Sequence, residues 1–209
     1  MNVKMETFAE GLNRLVKYHG NKVALIDEKS MISLTYKNIE HKIDQCISYL
    51  IDKGLKKGGT FQAILPNSIE MIILFLSAAK GGFKFAPCGD DLTDQEILTY
   101  NKITNAKLVI HSDKNNLSNI FSKDVKIHAI NLNSKFDWLQ GIKNNLKATD
   151  GNLYIMTSGT TGNPKAIVLS LNKLWASTNY FNKNYSSINH ESVFWNYLPM
   201  SYLGGLFNL

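Results

Sequence analysis

An α/β fold, with βαβ units around a mostly parallel sheet, is what this sequence predicts. Short apolar runs alternate with stretches of helical periodicity from residue 61 to residue 130. Elements of these lengths in strict alternation imply right-handed crossovers onto one sheet. The composition agrees: 44% hydrophobic and 19% charged residues are ordinary for a globular chain, and 209 residues bury a substantial core as one large domain or two small ones.

Taken in order, Phe8, Leu12, Leu15 and Val16 recur at helical spacing, so residues 5–19 read as an amphipathic helix ending near Gly20. Residues 23–26 and 32–35 look like paired strands around a polar turn at Asp27 to Ser30. Thr35 is placed to cap a long helix with a stripe of Ile39, Ile43, Ile47 and Leu50, stopping at Gly54. Residues 61–65 form a strand, and Asn67-Ser68 start a helix through Ala79 that is apolar nearly all round and hence buried. Gly81-Gly82 end it. Strands at 83–87, 107–110 and 126–130 come next, with a helix at 93–102 and a weaker one at 117–121. Residues 133–151 are polar apart from Phe136, Trp138 and Leu139, which makes them the candidate seam. The expected division is an N-terminal α/β subdomain over 1–150 and the start of a second subdomain over 151–209. The latter holds strands at 153–156 and 166–169, a helix at 171–184 and a strand at 193–198. Trp175 and Trp195 are expected in the core.

Several function classes fall away. The longest apolar stretch, Met71 to Ala79, is far too short to span a bilayer, and the start of the chain lacks a signal peptide's apolar block. The net charge of +6 comes from lysines scattered among acids and asparagines, as in Lys114-Asn115-Asn116. Nucleic-acid binding favours a clustered basic stripe with stacking aromatics, so a solvated surface is the better reading. Cys46 and Cys88 stand alone, with no Cys or His at ligand spacing, which excludes a sequence-evident metal site or disulfide framework and suits a reducing cytoplasm. His19, His41, His111, His128 and His190 share no catalytic spacing and are expected at the surface or at strand ends.

The chemistry concentrates in residues 154–165, Tyr-Ile-Met-Thr-Ser-Gly-Thr-Thr-Gly-Asn-Pro-Lys. An apolar run enters six small or hydroxylated residues, Thr157, Ser158, Gly159, Thr160, Thr161 and Gly162. Pro164 and Lys165 close the loop, and a second apolar run leaves it. Glycines allow sharp turns and close approach, so that amide N–H groups converge on an anion. The hydroxyls add donors and Lys165 a positive charge, which together equip the loop to hold a polyphosphate. It is not a Walker A loop: Pro164 precedes the lysine where that motif has glycine, Ala166 replaces the magnesium-binding hydroxyl, and residues 166–170 read as a strand rather than a helix.

Residues 157–165 resemble the signature loop of the adenylate-forming superfamily, which includes acyl-CoA synthetases, aryl-CoA ligases, luciferases and peptide-synthetase adenylation domains. The family pattern is Thr-Ser-Gly-Ser/Thr-Thr-Gly, any residue, then Pro-Lys-Gly. Thr157 to Lys165 match throughout and only the closing glycine departs, as Ala166. Leu65-Pro66-Asn67-Ser68, Gly81 to Pro87 and Thr93 to Ile97 are similar to family segments in the expected order, so the resemblance covers nearly the whole chain. It implies the N-terminal portion of the adenylate-forming fold, with ATP and Mg²⁺ as cofactors, a carboxylic acid as substrate, and CoA or a carrier-protein thiol as acceptor. By the same resemblance Thr157, Ser158, Gly159, Thr160, Thr161, Gly162 and Lys165 bind the ATP phosphates.

A second segment, Leu198 to Leu206, resembles the family's acid-pocket mouth, with Tyr202 in place of a histidine and Gly204-Gly205 beside it. Phenol and imidazole both offer a flat amphipathic wall. Gly204-Gly205 equally suit a plain turn into a helix. Asp90-Asp91 read as loop and helix-cap residues. The family's adenine-binding Tyr-Gly-x-Thr-Glu segment, its ribose-binding aspartate, its hinge and its C-terminal lysine have no counterpart in residues 1–209, so no catalytic residue is assigned. The expectation is an N-terminal fragment of an acid–thiol ligase that does not turn over alone. The alternatives are an amino-acid or carrier-protein adenylation domain, or a non-catalytic nucleotide-binding module.

Overall fold

The computed structural model describes residues 5–112, 117–139, 149–157, 164–185, 189 and 191–207. It opens with α1 (Phe8–His19), whose Thr7 and Glu10 close a reciprocal capping box. A two-stranded antiparallel ribbon comes next, β1 (Val23–Asp27) and β2 (Ile32–Thr35). Thr35 then caps α2 (Tyr36–Asp52), whose Ile39, Ile43, Ile47 and Leu50 are buried as their spacing requires.

The main sheet has six strands in the order β6-β5-β3-β4-β7-β8. β3 (Thr60–Ile64), β4 (Lys84–Cys88), β5 (Leu108–His111), β6 (Lys126–Ala129) and β7 (Asn152–Thr157) pair in parallel, and β8 (Lys165–Ser170) returns antiparallel to β7. Between β3 and β4 runs α3 (Ile69–Gly81), capped by Ser68 and ended by Gly82 in the left-handed conformation at φ 73°. Between β4 and β5 runs α4 (Asp94–Thr104), where Thr93 and Glu96 form the capping box. Asp90 and Asp91 lie exposed in the loop before it.

Both faces of the central strands β3, β4 and β5 are covered, the environment that parallel strands need. Alternate residues divide between two cores. Phe61, Ala63 and Leu65, with Leu108 and Ile110, pack among α2 and α3, while Ile64 and Val109 face α4 with Cys88, Ile97 and Phe121. Gln62, buried on the α4 side, is satisfied there: its amide donates to the Ile97 carbonyl at 3.3 Å and accepts from Asn101 at 3.1 Å. Phe61, Phe83 and Phe85 form a ring cluster in the first core, with Phe61 and Phe85 centroids 5.0 Å apart.

Three expectations need correction. Residues 117–121 hold a three-residue 3₁₀ turn, Leu117–Asn119, rather than an α-helix, too short a stretch to nucleate one. Residues 193–198 form no strand: no neighbour pairs with them among the described residues, and strand preference without a ladder does not hold extended chain in a sheet. Trp195 is therefore outside the core, 80% exposed, whereas Trp175 packs edge-on against Phe8 with centroids 5.6 Å apart. Within the polar stretch after β6, Phe136 is buried between two 3₁₀ turns and Leu139 at the end of the second, and Trp138 stacks edge-on against Tyr49.

Phe85→Ala removes a fully buried ring from the central strand and is expected to lower stability by about 3–5 kcal/mol, whereas Thr35→Ala, which loses only a cap, is expected to cost about 1 kcal/mol. Urea unfolding midpoints check both, and equal losses would contradict this layering.

Candidate active site

Register places the chemistry at one edge. Ile64 pairs with Cys88 and with His111, and His111 with Ala129, so β3 to β6 finish level with one another. β7 starts beside β4 (Lys84 with Asn152, Phe85 with Leu153) and runs on to Thr157 in the same direction. The residues after Thr157 thus leave from the C-terminal edge of the parallel strands, the edge at which open α/β sheets bind ligands.

The β7–β8 hairpin is in register along its whole length, from Asn152 with Ser170 to Thr157 with Lys165. Thr157 and Lys165 close its stem, and the Thr157 hydroxyl donates to the Lys165 carbonyl at 3.3 Å. The stem residues Thr157 and Lys165 are therefore brought together. Ser158, Gly159, Thr160, Thr161 and Gly162 lie outside the described residues. β8 runs directly into α5 (Leu171–Tyr185), and Asp150 ties that junction by accepting from the Ser170 hydroxyl at 2.7 Å and the Asn172 N–H at 3.1 Å. The loop thus sits between two strands, unlike a Walker loop.

The second segment reaches the same edge. Asn67, in the loop leaving β3, donates from Nδ2 to the Leu198 carbonyl at 2.9 Å, and its Oδ1 accepts from the Met200 N–H at 2.8 Å. Met200 is buried, while Tyr202 is half exposed and opens α6 (Leu203–Phe207). The turn is held by the Tyr202 N–H donating to Pro199 at 3.1 Å and the Gly205 N–H to Tyr202 at 3.2 Å, and Asn196 Nδ2 donates to the Gly205 carbonyl at 2.7 Å. Burial pushes the Tyr100 phenol up, and Cys88, Tyr202 and Glu96 add to it. His111 is buried at the end of β5, and His128 lies within β6. Among the described residues no group of three or more His, Cys, Asp or Glu is arranged to hold a metal, and no helix is long and apolar enough to cross a membrane. Sequence reasoning missed the reach of Asn67. Its local signal, a polar residue before Ser68, marks only a helix start.

The two glycines of this turn differ. A Cβ on Gly205 would stand 2.3 Å from the Pro199 carbonyl oxygen, whereas one on Gly204 would meet nothing nearer than a Leu198 methyl at 3.4 Å. Gly205→Ala is expected to disrupt the 198–206 turn and Gly204→Ala to leave it intact. Amide hydrogen exchange of that peptide distinguishes them, and equal protection in both variants would contradict this geometry.

Comparisons agree with this arrangement. Residues 12–209 match the AMP-binding enzyme family. The long-chain-fatty-acid–CoA ligase FadD13 of Mycobacterium tuberculosis is 27% identical over 175 residues, covering 74% of this chain and 34% of that protein. Gramicidin S synthase 2 of Brevibacillus brevis is 26% identical over 166 residues, 78% of this chain and 4% of that one. The chain thus spans about a third of FadD13 and far less of the synthetase. The inhibitor-bound N-terminal domain of FACL13 from Mycobacterium tuberculosis superposes with a TM-score of 0.80 at 19% identity, over 97% of this chain and 54% of that one. With a shared fold, and the family match running from the first helix to the last residue, this chain belongs to the AMP-binding family of adenylate-forming enzymes.

Proposed function

We propose that residues 1–209 are the triphosphate-binding part of an AMP-forming acid–thiol ligase of the acyl-CoA-synthetase type. The observation that carries this reading is the hairpin stem: Thr157 and Lys165, paired at the C-terminal edge of the sheet, bracket a loop of glycines and hydroxyls. In such a reaction a carboxylate oxygen attacks the α-phosphorus of MgATP and the bond to the bridging oxygen breaks. Acyl-adenylate forms and pyrophosphate leaves; a thiol then attacks the acyl carbonyl and expels AMP. The barrier of the first step is the crowding of negative charge around phosphorus. Loop N–H groups, the hydroxyls of Thr157, Ser158, Thr160 and Thr161, and the Lys165 ammonium stabilise that charge without reorganising. Mg²⁺ bound with the triphosphate would offset part of its negative charge and would need few ligands from the protein.

Tyr202, Gly204 and Gly205 are assigned to the mouth of the acid pocket, because the Leu198–Met200 segment is fastened to the same edge. The acceptor is CoA in this reading. Similarity to a peptide synthetase supports a carrier-protein thiol as the second reading, and competition between CoA and a carrier protein for the preformed adenylate separates them. Residues 1–150 and 151–209 are proposed as subdomains, neither carrying the adenylation lysine, so the chain alone is proposed not to turn over. A cytoplasmic setting suits Cys46 and Cys88, both buried and neither in a disulfide.

In the full-length enzyme, Lys165→Ala and Gly159→Val are expected to slow acid-dependent ATP–pyrophosphate exchange roughly 10- to 100-fold. For Lys165→Ala that is the loss of one charged hydrogen bond of about 1.5–3 kcal/mol, and for Gly159→Val it is a side chain crowding the approach of the phosphates. The melting temperature of Lys165→Ala should barely move, since that side chain is exposed. Unchanged exchange would contradict the assignment.

A further inference from the structure

Asn67 joins segments 131 and 133 residues apart in the chain. A side-chain amide offers a donor and an acceptor side by side, as a peptide group does. Asn67 uses both on one short stretch, giving Nδ2–H to the Leu198 carbonyl and accepting the Met200 N–H. These groups flank Pro199, which has no N–H of its own, and they are the pair a neighbouring strand would use. No strand performs that task, since residues 193–198 pair with none among the described residues.

Asn67 is itself held firmly. The Leu65 N–H donates to the Cys88 carbonyl at 3.1 Å on one side, and Ser68 caps α3 on the other, its hydroxyl accepting from the Met71 N–H at 3.2 Å. The tether therefore runs from rigid elements to a stretch whose upstream neighbours are exposed, Val193 at 92% and Tyr197 at 73%. Downstream, the turn from Pro199 to Tyr202 starts one residue inside the tether. Fixing Leu198 and Met200 fixes where the Tyr202 ring begins.

We propose that Asn67 is a positioning residue that sets the Leu198–Tyr202 segment, and through it Tyr202, at the mouth of the acid pocket. It governs acid affinity and leaves the triphosphate chemistry alone. The proposal rests on reading this segment as the acid-pocket mouth.

The test uses full-length enzyme, wild type against Asn67→Ala and Asn67→Asp. One arm measures amide hydrogen exchange over 198–206. The other measures ATP–pyrophosphate exchange with octanoate, benzoate and L-alanine as probe acids. In Asn67→Ala, protection over 198–206 should fall at least 10-fold while that of β3 and β4 holds. For the probe acid with the highest wild-type rate, KM should rise about 10-fold, with kcat and the KM for ATP within 2-fold. Asn67→Asp keeps the acceptor for Met200 and should give an intermediate KM. Unchanged protection in Asn67→Ala, or a loss spread evenly through β3 and β4, overturns the tether. Lost protection with an unchanged acid KM overturns the positioning role and removes this segment from the acid pocket, leaving the loop assignment standing.

Discussion

The parallel seam between β4 and β7 is the contact on which the rest of the molecule depends. It consists of two residue pairs, a bridge from Gly81 to Thr149, and the Asn152 N–H donating to the Phe83 carbonyl at 2.9 Å. At about 1 kcal/mol net per hydrogen bond, so short a ladder is weak alone. Burial of Leu153 and Ile155 adds about 1.5–3 kcal/mol for each side chain and is the larger effect. Gly151 permits the approach, since a Cβ there would stand 2.1 Å from the Ala78 carbonyl oxygen. Without this seam the β7–β8 hairpin has no fixed relation to the strands beside it.

A second clamp acts from the far side. The Phe8 N–H donates to Asn172 Oδ1 at 2.8 Å, and the Trp175 indole donates to Glu6 at 3.3 Å while its ring meets Phe8 edge-on. Because α5 continues directly from β8, holding α5 against α1 also holds the returning arm of the hairpin. Glu6 is engaged further by Arg14 at 2.8 Å, and the hydrogen bond from that guanidinium lowers its carboxyl pKa. The stem is thus fixed through the sheet on one arm and through a helix pair on the other. In the proposed function such support would hold Thr157 and Lys165, the two ends of the loop, in place as charge develops.

Local signals in the sequence reveal those features whose cause is local. Thr35 caps α2 ahead of its isoleucine stripe and Ser68 opens α3, as their positions imply, whereas the capping boxes at Thr7 and Thr93 are found only in the structure. The apolar strands from Phe61 to Ile110 announce a parallel sheet because both faces are buried. The failures share a different cause. Val193 to Leu198 has strand-like residues, but whether it pairs depends on a neighbour that its own residues do not specify. Trp195 looks like core for the same reason and is exposed because no layer covers it. At the candidate site, the strands that lead into and out of the loop are legible from their apolar runs, whereas the reach of Asn67 is not. Its partners lie in another part of the chain, and a lone asparagine before a serine carries no trace of them.

The most direct test of the central claim is a crystal structure of the full-length protein with MgATP replaced by a nonhydrolysable analogue. The expected result has the β- and γ-phosphates within hydrogen-bonding distance of the amides and hydroxyls between Thr157 and Lys165, at the C-terminal edge of β7. A triphosphate bound anywhere else, with that loop untouched, would contradict the claim.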